Sequence, residues 1–240
     1  MEIIMICLAF DTSAKVASVA VLDGERTLAS YSVDNGLTQS ELILPMAEDM
    51  MKKLELNYSD VDLLATSVGP GSFTGVRIGV SLVKGLAFGR GIPCAGVSTI
   101  EALAENLRGL SGVIVPVMDA RRNQVYTATF ISEGNEMKRI TEDRAISLKE
   151  LAEELSEYGD KSIYLVGDGY AVAKKALLSE GLSLSETPEI LLSENAISVG
   201  RVAERMHEAG LAGNDLDISP IYLRLPQAER ERLERLGKTE

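Results

Sequence analysis

The chain has 240 residues, 45% of them hydrophobic, with 24 Lys and Arg against 36 Asp and Glu, for a formal net charge of −12. That length fills one large domain or two of ordinary size, and the acidity opposes a free-standing nucleic-acid binder, whose phosphate contacts need clustered Lys and Arg. One histidine and two cysteines supply neither a His-rich metal site nor a disulfide framework, so a reducing cytoplasm is expected and His207 is expected to be solvated.

The run Met1 to Phe10 is apolar, lacks a basic leader and stops at Asp11, which reads as a buried strand and not as a signal peptide or membrane span. Val16 to Leu22, a turn at Asp23-Gly24, and Thr27 to Val33 complete a three-stranded meander. Glu41 to Leu54 reads as a helix with Ile43, Ala47, Met50 and Leu54 on a core-facing stripe. Leu42, Met46 and Met51 add apolar surface beyond that stripe, so a second contact is expected there.

After a strand at Leu63 to Val68 comes Gly69-Pro-Gly-Ser-Phe-Thr-Gly-Val-Arg-Ile-Gly79, a tight turn leading into a helix with too much glycine. Each glycine inside a helix costs roughly 0.5–1 kcal/mol relative to alanine. At about 100° per residue, Gly75, Gly79, Gly85 and Gly89 fall on one stripe with Ser81 beside them, so that stripe is expected to be a docking seam. Phe73, Val76, Ile78, Val80, Leu82, Val83, Leu86 and Phe88 make the helix apolar nearly all round, which implies burial on most sides. Ile92 to Val97 is a further strand, and Ser98 and Thr99 cap the next helix with Glu101 placed to help.

The pattern restarts at Gly112. Val113 to Met118 is a buried strand ending at Asp119, Val125 to Ser132 alternates as a second strand, and Glu133-Gly134-Asn135 turns into a third near Glu136 to Ile140. This echo implies an internal duplication and two domains, 1–108 and 109–240, meeting across a cleft. Helices at Leu148 to Ser156, Tyr170 to Leu178 and Ser198 to Ala209, a strand at Ile163 to Val166 and a charged helical tail at Pro226 to Gly237 complete the expectation. The alternation of strands and helices is that of an α/β protein.

The glycine run resembles a phosphate loop, yet Gly75 is followed by Val76 and Arg77 where a Walker loop needs Lys and Ser or Thr. The Rossmann spacing fails at Thr74, and Ser72 is in no nucleophile-elbow pattern. Asp11-Thr12-Ser13 and Asp119-Ala-Arg-Arg occupy equivalent strand-to-strand turns, which a two-domain cleft would bring face to face. Hairpin backbones and carboxylates so placed can grip a nucleotide's phosphates and organise Mg²⁺, so Asp11, Thr12 and Ser13 are candidate nucleotide contacts. In the second turn Arg121, Arg122, Asn123 and Gln124 replace the glycines that let a backbone approach phosphate. Arg121 and Arg122 are instead candidates for an anion or a partner's carboxylate, and Asp119 serves also as a turn former.

Phe10-Asp-Thr-Ser, Ser40-Glu41 with Leu44-Pro45, the glycine run to Gly79, Lys84-Gly85-Leu86-Ala87, Gly96-Val97-Ser98, Asp119-Ala-Arg-Arg and Tyr222-Leu223-Arg224 together resemble the TsaB family of threonylcarbamoyladenosine biosynthesis. The resemblance implies an actin-like ATPase (ASKHA) fold of two tandem ribonuclease-H-like domains with mixed sheets flanked by helices. It implies a non-catalytic subunit that pairs with TsaD, the metal-bearing paralogue that transfers threonylcarbamoyl to an adenosine beside the anticodon of tRNA, with the ATPase TsaE joining them. The family pairs through the two helices above, here Ser40, Glu41, Leu42, Met46, Gly75, Val76, Gly79, Leu82 and Gly85, and self-associates through the same surface when isolated. Gln39 stands where relatives commonly carry histidine, and TsaD uses histidines on its counterpart helix for metal, which fits loss of catalysis. The implied chain needs no cofactor of its own, with ATP or ADP at the partner interface, reaches tRNA only through the complex and has no membrane contact. The alternative is an autonomous ATP-dependent enzyme using Asp11 and Asp119 across the cleft. Direct tRNA binding by Arg121, Arg122 and Arg224 is opposed by the charge.

Overall fold

The computed structural model describes residues 5–36 and 38–224. Strands β1 (Ile6–Asp11), β2 (Ala17–Asp23) and β4 (Leu63–Gly69) bury every residue, as strands covered on both faces do. They are flanked by β3 (Arg26–Val33) and β5 (Cys94–Ser98) in the order β3-β2-β1-β4-β5. The meander is antiparallel, and β4 and β5 run parallel to β1. Helices α1 (Gln39–Lys53) and α2 (Phe73–Ala87) cover one face, where Ile43, Met50, Val80 and Val83 meet Leu8, Phe10 and Leu64.

The second sheet repeats this order. Its first strand, β6 (Gly112–Asp119), pairs antiparallel with β7 (Gln124–Thr127) and β8 (Phe130–Glu133) in one unbroken register, Val117 opposite Thr127 and Ile114 opposite Phe130. The single strand expected over Val125 to Ser132 is interrupted opposite Pro116, which has no N–H to give the ladder. Beyond them lie β9 (Glu136–Arg139) beside β8 and β10 (Arg144–Ser147) beside β7, and β11 (Ile163–Val166) runs parallel to β6 on its other side. Helix α4 (Leu148–Ser156), opened by a Ser147–Glu150 capping box, and α5 (Tyr170–Ser179) cover one face.

The remaining faces are covered by an exchange. Helix α3 (Thr99–Glu105), which follows the first sheet, packs Ile100, Leu103 and Ala104 on Ile114, Met118 and Phe130 of the second. Helix α6 (Ala196–Glu208), which follows the second sheet, packs Val199 and Val202 on Ala9, Leu22 and Val97 of the first. The approach is close because position 200 is glycine, where a Cβ would run into Leu22 and sit 3.3 Å from that of Ala9. The chain then stays on the first unit: Gly213 bridges Cys94, Ile218 joins the first core, and the Ile221 N–H donates to Val68 O at 2.7 Å. The expected boundary at 108/109 is therefore corrected, since residues from α6 onward pack with the first unit. Two ribonuclease-H-like units with mixed sheets flanked by helices make an actin-like ATPase (ASKHA) fold. The helix expected over Pro226 to Gly237 lies outside the described residues.

Candidate functional site

A cleft of about 460 Å³ lies between the β1–β2, β4–α2 and β6–β7 turns, the end of β11 and residues 221–224. Of the nucleotide candidates only Ser13 lines it. Asp11 is 1% exposed, and its Oδ1 accepts from the Ser13 N–H at 2.8 Å, the Ser13 hydroxyl at 2.6 Å and the Ser67 hydroxyl at 3.0 Å. Its Oδ2 is buried without a hydrogen-bond partner among the described residues, and burial raises its pKa against the opposing pull of those bonds. Thr12 donates its hydroxyl to Gly75 O at 2.7 Å. These side chains tie the β1–β2 turn to β4 and α2 before any ligand is considered.

Across the cleft, Asp119 Oδ1 accepts from the Arg121 N–H at 2.7 Å, and the Asp119 N–H donates to Asp168 Oδ1 at 3.0 Å. Arg121, Arg122 and Asn123 all adopt left-handed backbone, with φ of 65°, 55° and 58°, at roughly 1 kcal/mol or more per residue. This folds the exposed Arg121 guanidinium back to within 3.2 Å of Asp119 Oδ2. Burial also raises Asp168, with the Asp119 charge adding and Arg121 and Lys15 opposing. Behind it sits Glu194, 4% exposed, its carboxyl pushed up to about 8 by burial and then by Asp168 and Asp11. Sequence reasoning missed both acids. Asp168 had a signal in Gly167-Asp168-Gly169 directly after a strand, and Glu194 had none.

The segment after Ile218 closes the cleft's mouth. Arg224 donates to Ala120 O at 2.9 Å on the second unit. Tyr222 stacks on Phe73 with centroids 4.7 Å apart, and Arg77 both donates to the Tyr222 hydroxyl at 2.7 Å and lies 3.8 Å over the Phe73 ring. Among the described residues no group of three or more His, Cys, Asp or Glu is placed to hold a metal ion.

The proposed pairing helices lie side by side, and the structure divides their residues. A Cβ at Gly75 would strike Thr12 O and lie 2.7 Å from Gln39 Oε1, and one at Gly79 would lie 2.5 Å from Thr66 Oγ1 and 2.7 Å from Thr12 Oγ1. The close approach that glycine permits there is made inside the chain. Val76 and Met46 are 1% and 9% exposed, and Met51 is buried too, so Gly75, Gly79, Val76 and Met46 are corrected from partner-facing to internal. Gly89, with φ of 72° just after the helix, is its C-terminal stop, and Phe88 stands exposed. On the outer side Gly85 meets nothing within 4 Å. Thr74, Ser81 and Gly85 are exposed, as are Ser40 and Glu41, and Leu42, Ile78 and Leu82 are half-buried. Gln39 is spent internally, its amide donating to Ala14 O.

The TsaD family, described as tRNA N6-adenosine threonylcarbamoyltransferase, matches residues 38–197. A Bacillus subtilis protein named tRNA threonylcarbamoyladenosine biosynthesis protein TsaB is 30% identical over 234 residues, which cover 96% of this chain and 99% of that protein. A Haemophilus influenzae protein of the same name is 31% identical over 90% of this chain and 92% of its own. YeaZ from Pseudomonas aeruginosa is similar in structure, with a TM-score of 0.76 and 25% identity over 91% of this chain and 100% of that one. With near-full-length similarity to two proteins of that name and a fold shared with YeaZ, the chain belongs to the TsaB family of tRNA threonylcarbamoyladenosine biosynthesis proteins.

Proposed function

We propose that this chain is a non-catalytic scaffolding subunit of cytoplasmic tRNA threonylcarbamoyladenosine synthesis, docking a TsaD partner through the outer face of α1 and α2, with TsaE joining and tRNA reached only through the complex. The observation that carries the reading is the outer face of α2. Thr74, Ile78, Ser81 and Gly85 follow one another at spacings of 4, 3 and 4 and are exposed or half-buried, a line of mostly small residues within about 60° of arc. Leu82 and Leu42 flank it with apolar surface, and Ser40 and Glu41 supply a polar rim. The same face serves self-association when the partner is absent. Leu82→Arg places a charge in that seam without entering the core, so it should abolish co-purification with TsaD and leave a folded monomer by circular dichroism. Unchanged pairing would sink the reading.

A rival reading, an autonomous ATP-dependent enzyme, draws on Lys15 and Arg121 lining the cleft beside Asp119 and Asp168. We favour the scaffold because the Asp11 side chain is committed to Ser13 and Ser67 and that of Thr12 to Gly75 of α2. ATP or ADP then belongs at the partner interface and is not required by this chain. Calorimetric titration with Mg-ATP separates the two. Tight binding with turnover by the isolated chain, lost in Lys15→Ala, would replace the scaffold with the enzyme. No helix among the described residues is long and apolar enough to cross a membrane.

A further inference from the structure

A second, larger groove of about 1090 Å³ runs between the β2–β3 hairpin, α6 and residues 190–195, sharing no lining residue with the cleft and none with α1 or α2. Its charges are unbalanced. The three arginines along it are already engaged: Arg108 and Arg205 both hold Glu105, at 2.8 and 2.7 Å, and Arg201 donates to the carbonyls of Gly24 and Glu25. Arg201 also stands 3.5 Å from Glu204 Oε2. Glu25, Asp34 and Glu208 remain on the rim, and Glu194 and Glu204 on the floor.

The floor pair is the telling feature. Glu194 and Glu204 are 4% and 6% exposed, and each keeps a buried carboxyl oxygen, Oε1, with no hydrogen-bond partner among the described residues. Buried polar atoms are nearly always satisfied, because leaving one unmet is costly. Both residues line the groove, which leaves room for a donor from outside the chain. The groove's other wall is apolar, with Val16, Val33, Ile190 and Ile197, and no trio of ligating side chains among the described residues suits a bare metal ion. The matching chemistry is positive charge spaced by methylene groups.

We propose that this groove binds a linear aliphatic polyamine, its ammonium groups meeting Glu194, Glu204 and the rim acids and its methylenes lying on the apolar wall. Burial holds Glu194 up to about 8 and Glu204 up to about 7. Glu194 is faced by Asp168 and Asp11, which raise it further, and Glu204 by Arg201 and Arg205, which lower it, by Glu208, which raises it, and by the buried Cys7 thiol. A bound cation favours the ionised carboxylates, so uptake near neutral pH releases protons to solvent, and affinity rises with pH.

The test is calorimetric titration of the full chain with spermidine at about pH 6 and about pH 8.5, in buffers of different ionisation heat. The expected result is saturable binding, tighter at the higher pH, with proton release that falls away in Glu204→Gln and affinity at least about tenfold weaker in Glu204→Gln or Glu194→Gln. Heats that do not saturate, heats matched by MgCl2 at equal ionic strength, or affinity unchanged in both variants would overturn the proposal. If the floor variants do not fold, the rim double variant Asp34→Asn with Glu208→Gln decides, and full-strength binding in it overturns the proposal too.

Discussion

Glu194 couples the stability of the fold to pH in a direction opposite to that of an ordinary salt-bridged carboxylate. Burial, Asp168 and Asp11 raise its carboxyl from 4.5 to about 8 in the folded chain. The folded state therefore holds a proton that the unfolded chain gives up above about pH 4.5. The stabilisation is complete below that pH and declines as pH rises towards about 8, then levels off, a loss on the order of 5 kcal/mol from this group alone. Glutamine keeps the shape and never ionises. Glu194→Gln should thus match the natural chain near pH 5 and exceed it at pH 8.5 by most of that amount, read from urea midpoints across the range. A natural chain whose stability stays level through this window would contradict the assignment of a protonated Glu194. The residue had no signature in the sequence because Asp11 and Asp168, which face it, are brought beside it only by the folded chain.

At the scale of the element, α2 sorts its glycines by what stands opposite. Gly79→Ala would push a methyl against the hydroxyls of Thr66 on β4 and Thr12 in the buried β1–β2 turn, at a cost of about 1–3 kcal/mol. Gly85→Ala enters open space and recovers the helix propensity that glycine forfeits, a gain of about 0.5–1 kcal/mol. Opposite signs in chemical unfolding of the two variants are the expected outcome, and a loss at both would mean that α2 is rotated from its described position. A bulkier Gly79→Leu would break the fold before it could report on docking. The excess of glycine was legible in the sequence, but its facing was not, because apolar residues surround α2 and leave a helical wheel without an absolute phase. Elsewhere the local signal sufficed: α4 spans Leu148–Ser156, the bounds expected from the sequence. What escaped was written on a neighbour. The break between β7 and β8 is caused by Pro116 on β6, the left-handed run Arg121 to Asn123 by the hydrogen bonds of Asp119, and β10, only 4 residues long, by pairing with β7.

For the molecule as a whole, the exchange of α3 and α6 decides how the two units depend on one another. Each sheet takes the cover of one face from a helix that follows the other sheet, so the two expected domains are interlocked. The exchanged helices are also fastened to each other: Arg205 pairs with Glu105 through two bonds of 3.0 and 2.7 Å, and Asn106 accepts from Asn195 and Ser198 while donating to the carbonyls of Leu191 and Ser193. Loss of α6 from the first sheet should therefore loosen α3 on the second. Val199, fully buried between α6 and the first sheet, is the place to test this, because Val199→Asp buries an unpaired carboxylate at a cost of about 3 kcal/mol or more. Native-state hydrogen exchange should then show the amides of β1 and β6 losing protection together and by the same free energy, although β6 packs on α3 in a core that Val199 does not join. Protection lost in β1 and retained in β6 would mean that the units open independently, and the helix exchange would then be a matter of connectivity without cooperative consequence.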